Sequence, residues 1–133
     1  MVDSSTHPMV SVVIPHYGGT AILNECVLSL NNCTYPNIEI IIVDNHSPDN
    51  SLHFIKSNFP NVNLIESKYN RGFSGGCNLG VKYAKGDYII ILNNDTIHEP
   101  DWIEHLIIMM ESNPQISAIQ PKIKNYDKQD FFD

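Results

Sequence analysis

A short apolar stretch that stops abruptly in polar residues constrains the fold of this chain more than any other feature. Residues 89–92 read Ile-Ile-Ile-Leu, and Asn93, Asn94 and Asp95 follow them directly. Such a run is typical of a strand buried on both faces of a parallel sheet. In open parallel sheets, ligands bind beyond the carboxyl ends of the strands. We therefore expect the three polar residues to form either part of a ligand site or a loop that caps the next helix.

Similar apolar runs alternate with segments of helical spacing along the chain. Strands are predicted at residues 9–14, 38–43, 62–65, 88–92 and 116–120, with prolines at 15 and 121 ending the first and the last. The four intervening helices are predicted to bury Leu23, Cys26, Val27 and Leu30; Leu52, Ile55 and Phe59; Cys77, Val81 and Ala84; and Ile103, Leu106, Ile107 and Met110. This alternation predicts a three-layer α/β/α fold with a mainly parallel sheet.

The composition limits the class of protein and of partner. The 133 residues, 42% hydrophobic, suffice for one domain with a core, and the net charge of -7 argues against nucleic acid as a partner. No apolar run approaches the ~18 residues of a membrane span, and residues 1–8 form a polar leader. Cys26, Cys33 and Cys77 lack CxxC spacing and are expected to be reduced and buried. We expect a cytoplasmic protein, with the inner face of the membrane as an alternative location.

Polar residues at three strand ends are predicted to meet at one edge of the sheet. Asp44, after the second strand, suits the imide N–H of uracil, thymine or guanine, a group that adenine and cytosine lack. Tyr17 offers its ring or hydroxyl to the same base, and Asp95 suits a divalent cation on a diphosphate. Simpler interpretations are a surface aromatic for Tyr17 and a loop cap for Asp44.

A glycine-rich segment precedes the third predicted helix, which we expect to end near Gly86. Gly72, Gly75 and Gly76 allow a close approach of backbone to ligand, and Arg71, the one arginine, is a candidate phosphate or base partner. The glycine spacing differs from the dinucleotide fingerprint, which disfavours a Rossmann dehydrogenase. The P-loop motif is absent, which disfavours a P-loop NTPase.

Five motifs in order resemble those of glycosyltransferase family 2, and most closely its rhamnosyltransferase-like branch. They are VSVVIPHY, IEIIIVDNHSPD, NRGFSGGCNLG, GDYIIILNNDT and PDWIEHL. Members of this family are nucleotide-diphospho-sugar transferases with the Rossmann-like GT-A fold. The resemblance implies a nucleotide-sugar-binding domain at residues 9–121, and a tail at residues 122–133 that begins an acceptor-binding part missing from this chain.

The resemblance also implies roles for individual residues. The implied nucleotide-binding residues are Pro15, Tyr17, Asp44, Arg71 and Gly72; those for the donor sugar or diphosphate are Asn78, Asn93 and Asn94; and Asp95 is the implied ligand of Mn²⁺ or Mg²⁺. Residues 93–95 match the family's DxD motif except that Asn93 replaces its first acid, so we expect weak metal binding without nucleotide. His98 is a further candidate near the metal, although we expect it to face solvent.

The catalytic base implied by the resemblance is a carboxylate beyond Asp133. Asp127, Asp130 and Asp133 lie in the tail, and we expect none of them to be this base. The implied reaction is inverting transfer of rhamnose or another hexose from a UDP- or dTDP-sugar to a glycan or lipid-linked acceptor, with this chain as the donor-binding half. The alternatives are a non-catalytic nucleotide-sugar-binding module and a fragment that forms a dimer through an exposed sheet edge.

Overall fold

The computed structural model describes residues 7–128, which form a four-stranded parallel sheet with four helices. The strands are β1 (Val10–His16), β2 (Ile38–Asp44), β3 (Asn63–Glu66) and β4 (Tyr88–Ile91). The helices are α1 (Thr20–Asn31), α2 (Ser51–Asn58), α3 (Gly72–Val81) and α4 (Trp102–Ser112). The strand order is β3-β2-β1-β4 and all three pairings are parallel. The predicted α/β fold is confirmed. Asp130 and Asp133 of the predicted tail, and most of the predicted leader, lie outside the described residues.

The two faces of the sheet are covered by different helices. Helices α1, α2 and α4 pack on one face around the larger core cluster, which includes all four residues predicted for α1. Helix α3 covers the other face over β1 and β2, where Val13, Ile41 and Val43 form a smaller cluster. Burial of each large aliphatic side chain contributes about 1.5–3 kcal/mol, so the face with three helices supplies most of the stability.

Strand β4 is not buried on both faces, contrary to the sequence-based prediction. Ile89 and Ile91 are each 44% exposed, whereas Tyr88 and Ile90 pack against the larger core cluster. The cause is the position of β4 at the edge of the described sheet, where α3 does not cover its outer face. The apolar run therefore predicted the existence of the strand correctly, but it did not predict how much of the strand other elements cover.

Two further predictions about the strands, the end of β1 and the existence of a last strand, are also wrong. Strand β1 continues through Pro15 to His16. The Val13 carbonyl accepts from Leu92 N on the β4 side, and the His16 carbonyl accepts from Asn45 N on the β2 side. Because the backbone polar groups of successive strand residues point to opposite sides, the nitrogen of Pro15 points to the β4 side, at a level where β4 has already ended. Its missing N–H therefore costs no ladder bond. Residues 116–120 form no strand; they are largely exposed and join no neighbouring strand of the sheet.

The glycines predicted to precede α3 lie inside it, and two glycines of this helix face the sheet. A Cβ atom on Gly80 would lie 2.4 Å from Val13 Cγ1, and one on Gly76 would lie 3.0 Å from Pro15 Cβ. These glycines therefore serve close packing of helix on sheet. Val81, predicted to be buried, is instead exposed.

Helix α3 ends at Val81, five residues before Gly86, which was predicted to stop it. Gly86 instead lies against β1, where a Cβ atom would be 2.6 Å from the backbone nitrogen of Ser11. This glycine thus permits a close approach of two backbone segments at the entrance to β4.

The three cysteines are all free thiols, as predicted. Cys26 and Cys77 are buried and Cys33 is half-buried. Burial raises the pKa of each thiol, which disfavours the reactive thiolate.

No helix within residues 7–128 has the length and apolar content needed to cross a membrane.

Candidate functional site

A cleft of about 280 Å³ opens at the carboxyl ends of β1, β2 and β4, at the edge of the sheet predicted from the sequence. It is lined by Pro15, His16, Tyr17, Asn45, Asn70, Gly72, Phe73, Asn93 and Asn94. Five of the nine predicted site residues are therefore brought together in one cleft. Asp44, Arg71, Asn78 and Asp95 are not among the lining residues.

Asp44 lies beside the cleft at the end of β2, in register with His16 of β1. Its side chain is 5% exposed, and Oδ2 accepts a hydrogen bond of 3.3 Å from the backbone nitrogen of Ser47. Within residues 7–128, Oδ1 is buried with no hydrogen-bond partner. An unsatisfied buried acceptor costs about 1–3 kcal/mol, so a ligand N–H reaching this oxygen would bind favourably.

Asn45, which the sequence did not single out, fixes the start of α3 against the cleft. Its Oδ1 accepts from Arg71 N at 2.9 Å, and its Nδ2 donates to the carbonyl of Gly72 at 2.9 Å. The side chain of Arg71 is engaged elsewhere, because its Nε donates to Ser67 Oγ and its guanidinium lies 4.4 Å from the ring centre of Tyr69. The backbone of Arg71, not its guanidinium, is therefore tied into the site.

Asp95 follows β4 as an exposed carboxylate, and Asn78 is exposed on α3 outside the cleft. Within residues 7–128, no group of three or more His, Cys, Asp or Glu side chains could hold a metal ion. Asp95 supplies an oxygen ligand of the type that Mg²⁺ and Mn²⁺ prefer, and such ions commonly complete their shell with water and substrate phosphates. The residues present therefore fit a metal held jointly with a bound diphosphate.

His16 is a cleft residue to which no role was assigned from the sequence. It is 1% exposed, and both ring nitrogens have partners: Nδ1 lies 2.9 Å from Asn94 Nδ2, and Nε2 lies 2.8 Å from Ser51 Oγ. Burial lowers the pKa of His16, although the nearby carboxylates of Asp44 and Asp49 oppose this shift. The imidazole is therefore held neutral near neutral pH.

His98 does not face solvent, contrary to the expectation from its place in a loop. Its Nδ1 lies 2.7 Å from Ser29 Oγ, its Nε2 lies 3.0 Å from Thr96 Oγ1, and its ring stacks on Trp102 at 4.9 Å. Burial lowers the pKa of His98 to about 4. Both nitrogens bind hydroxyl groups of this chain, so His98 anchors the loop after β4 to α1 and is not directed to a metal.

The half-buried His98 makes stability depend on pH. Its pKa is about 4 in the folded chain against 6.5 as the ordinary value, so the unfolded chain binds the proton more readily between these limits. We expect the melting temperature to fall as the pH falls from 6.5 toward 4, with His16 acting in the same direction. His98→Gln should reduce the slope of melting temperature against pH, whereas His53→Gln, at an exposed position of α2, should not. Equal slopes in the wild type and His98→Gln would contradict this assignment.

Comparisons with known proteins place the chain among sugar transferases. The profile of the family described as glycosyl transferase family 2 matches residues 11–132. An uncharacterized glycosyltransferase of Haemophilus influenzae is 33% identical over 115 residues, which make up 84% of this chain and 36% of that protein. Glycosyltransferase GlyG of Streptococcus pneumoniae is 33% identical over 125 residues, or 92% of this chain and 41% of that protein. The chain thus spans less than half the length of these curated relatives.

Solved structures of similar fold include two with bound nucleotide sugars. Mannosyltransferase PcManGT from Pyrobaculum calidifontis, in complex with GDP-Man and Mn²⁺, matches with a TM-score of 0.81 and 21% identity over 90% of this chain and 36% of that one. S. aureus TarS 1-349, in complex with UDP-GlcNAc, matches with a TM-score of 0.69 and 20% identity over 88% of this chain and 38% of that one. These likenesses confirm the predicted GT-A fold.

Proposed function

Because the chain belongs to glycosyltransferase family 2, we propose that it forms the donor-binding part of an inverting glycosyltransferase. The donor is a UDP- or dTDP-sugar, carrying rhamnose or another hexose, and the acceptor is a glycan or a lipid-linked acceptor in polysaccharide or cell-wall synthesis. One observation carries the proposal: the buried Asp44 Oδ1 has no partner within the described residues and lies beside a cleft at the strand ends.

The base would be recognised by residues at the ends of β1 and β2. Asp44 Oδ1 would accept the imide N–H of uracil or thymine. Tyr17 is 54% exposed at the cleft, so its ring is free to contact the base, and Pro15 lines the wall beside it. Gly72 has a φ of 69°, and no atom beyond its chain neighbours and its own helix backbone lies within 4 Å of the place that a Cβ would take, so its backbone leaves room for a ligand.

The diphosphate and sugar would lie near residues 93–95. Asn93 and Asn94 line the cleft, and Asp95 is the residue that would hold Mn²⁺ or Mg²⁺. When bound, the ion would neutralise charge on the diphosphate as it departs. The Mn²⁺ present with GDP-Man in the P. calidifontis mannosyltransferase supports this assignment. Arg71 and Asn78, which do not line the cleft, and Asp44, whose Oδ1 is buried beside it, would require movement of a side chain or of the ligand to take the roles that the family resemblance implies.

The transfer step needs a group that the described cleft does not supply. The acceptor hydroxyl would attack the anomeric carbon as the nucleotide diphosphate leaves, and a general base would take the hydroxyl proton. No carboxylate lines the cleft within residues 7–128, and both nitrogens of His16 are already hydrogen-bonded. Asp127 is exposed in the tail and is not among the residues that line the cleft. We therefore assign donor binding to this chain and place the base in another part of the protein.

A thermal shift measurement tests donor binding. At millimolar UDP or dTDP with Mn²⁺, we expect the melting temperature to rise by about 3–6 °C, because a ligand that binds only the folded state stabilises it. Asp95→Asn keeps the size of the side chain and removes its charge, so we expect it to lose the Mn²⁺-dependent part of the shift. No shift of the wild-type chain at millimolar nucleotide would count against the proposal.

A non-catalytic nucleotide-sugar-binding module is the second candidate, favoured by the lack of a carboxylate in the cleft lining within residues 7–128. Release of free sugar or nucleotide from a UDP-sugar by this chain would exclude the non-catalytic module.

The exposed Ile89 and Ile91 favour self-association into a dimer as a third candidate. A monomeric elution profile over a wide range of concentrations would exclude the dimer.

A further inference from the structure

A chain of hydrogen bonds runs from the β2–α2 loop, through the end of β1, to the polar residues that follow β4. Asp49 Oδ1 accepts from both the backbone nitrogen and the hydroxyl of Ser51. Ser51 Oγ lies 2.8 Å from His16 Nε2, and His16 Nδ1 lies 2.9 Å from Asn94 Nδ2. Ser51 and His16 are fully or almost fully buried, so their side chains have little contact with solvent.

The two terminal groups of this hydrogen-bond series, Asn94 Nδ2 and the Asp49 carboxylate, fix the direction of every hydrogen bond between them. An amide nitrogen can only donate, so Asn94 Nδ2 donates to His16 Nδ1, which must carry no proton. The imidazole proton then lies on Nε2 and is donated to Ser51 Oγ. The Ser51 hydroxyl donates in turn to the carboxylate of Asp49, which can only accept.

The direction of these hydrogen bonds decides which atom of the Asn94 side chain is available to a ligand. Nδ2 is held by His16, whereas Oδ1 has no hydrogen bond within residues 7–128, and Asn94 lines the cleft. We propose that His16 is a positioning residue of the donor site: it holds the Asn94 carboxamide with Oδ1 toward the cleft, where this oxygen accepts a hydrogen bond from a hydroxyl of the bound nucleotide. The inference rests on the proposed function; it adds His16 to the site and gives Asn94, placed above near the diphosphate and sugar, a hydroxyl of the nucleotide as its partner.

A matched pair of substitutions separates this role from a structural one. In His16→Asn, the side-chain amide reaches the place of Nδ1 and its oxygen can still accept from Asn94. In His16→Gln, the longer side chain reaches the place of Nε2 and can still donate to Ser51, but the acceptor for Asn94 is lost. Both variants lose the imidazole ring from a buried position, so both are expected to lower stability to a similar degree.

Titration calorimetry with UDP and with dTDP, each with Mn²⁺, compares the variants. We expect His16→Gln and Asn94→Ala each to weaken binding about five- to tenfold, as for the loss of one hydrogen bond, and His16→Asn to stay within about twofold of the wild type. The double variant His16→Gln/Asn94→Ala should bind no more weakly than Asn94→Ala alone. Wild-type affinity in His16→Gln, or additive losses in the double variant, would overturn the inference.

A measurement on the unliganded chain keeps this inference separate from the proposed function. If the wild type binds neither nucleotide, the proposed function fails, and ¹⁵N NMR of the His16 ring then decides separately whether His16 orients the Asn94 carboxamide. We expect the proton on Nε2 and none on Nδ1, with the side-chain amide signals of Asn94 shifted in His16→Gln and retained in His16→Asn. A proton on Nδ1 would overturn the inference.

Discussion

Asp44→Ala is expected to abolish the thermal shift produced by UDP with Mn²⁺ and to raise the Kd of UDP by about 10- to 100-fold. The reason is the loss of a hydrogen bond to a charged acceptor, which contributes about 1.5–3 kcal/mol. Titration calorimetry measures the change. Asp127→Asn, which alters an exposed carboxylate that does not line the cleft, is the control and should bind UDP as the wild type does.

The stability of Asp44→Ala distinguishes lost recognition from lost folding. Oδ1 of Asp44 is buried without a hydrogen bond within residues 7–128, and the bond from Ser47 to Oδ2 is long at 3.3 Å. Removing such a carboxylate takes away an uncompensated buried group, so we expect the unliganded melting temperature to stay unchanged or to rise. UDP binding at wild-type affinity in a folded Asp44→Ala variant would show that the base is recognised elsewhere.

Gly80→Ala is expected to lower the free energy of unfolding by about 2 kcal/mol, although alanine favours a helix over glycine by about 1 kcal/mol. The new Cβ would lie 2.4 Å from Val13 Cγ1 and 3.0 Å from Val43 Cγ2, so α3 would have to move away from the sheet. Overpacking of this kind costs about 1–3 kcal/mol, and more when the backbone must shift, which exceeds the gain in helix propensity. Chemical denaturation measures the difference.

Two further variants control the Gly80 experiment. Ser74→Ala changes an exposed position of the same helix and should alter the free energy of unfolding by no more than about 0.5 kcal/mol. Val13→Ala removes the methyl group nearest to the new Cβ, so Gly80→Ala should cost less in the Val13→Ala background than in the wild type. A Gly80→Ala variant as stable as the wild type would show that α3 does not pack this closely.

Much of the fold could be predicted because hydrophobic spacing is a local property. The stripe of Leu23, Cys26, Val27 and Leu30 in α1 is fully buried, and β2 extends only one residue beyond its prediction, to Asp44. The exposure of Ile89 and Ile91 could not be predicted, because it depends on which helix covers β4 and on its place in the strand order. The prediction of a strand at residues 116–120 was wrong for a similar reason, since an apolar pattern does not show whether a partner strand is present.

The site could be predicted in part. Parallel strands bring their carboxyl ends together, so the positions of Tyr17, Asn93 and Asn94 at one cleft followed from the order of the strands. The role of the α3 glycines could not be predicted, because the absence of a Cβ does not say whether a ligand or a sheet approaches. His16 was missed because its importance comes from hydrogen bonds to Ser51 and Asn94, which are distant in sequence.

Base-selective nucleotide binding is tested most directly by titration calorimetry of the wild-type chain with Mn²⁺ and a series of nucleoside diphosphates. We expect UDP and dTDP to bind at least about tenfold more tightly than CDP and ADP, because cytosine and adenine lack the imide N–H that Asp44 Oδ1 would accept. Equal affinity for UDP and CDP, or no measurable binding of UDP and dTDP at millimolar concentration, would contradict the assignment of this chain as the donor-binding part of a glycosyltransferase.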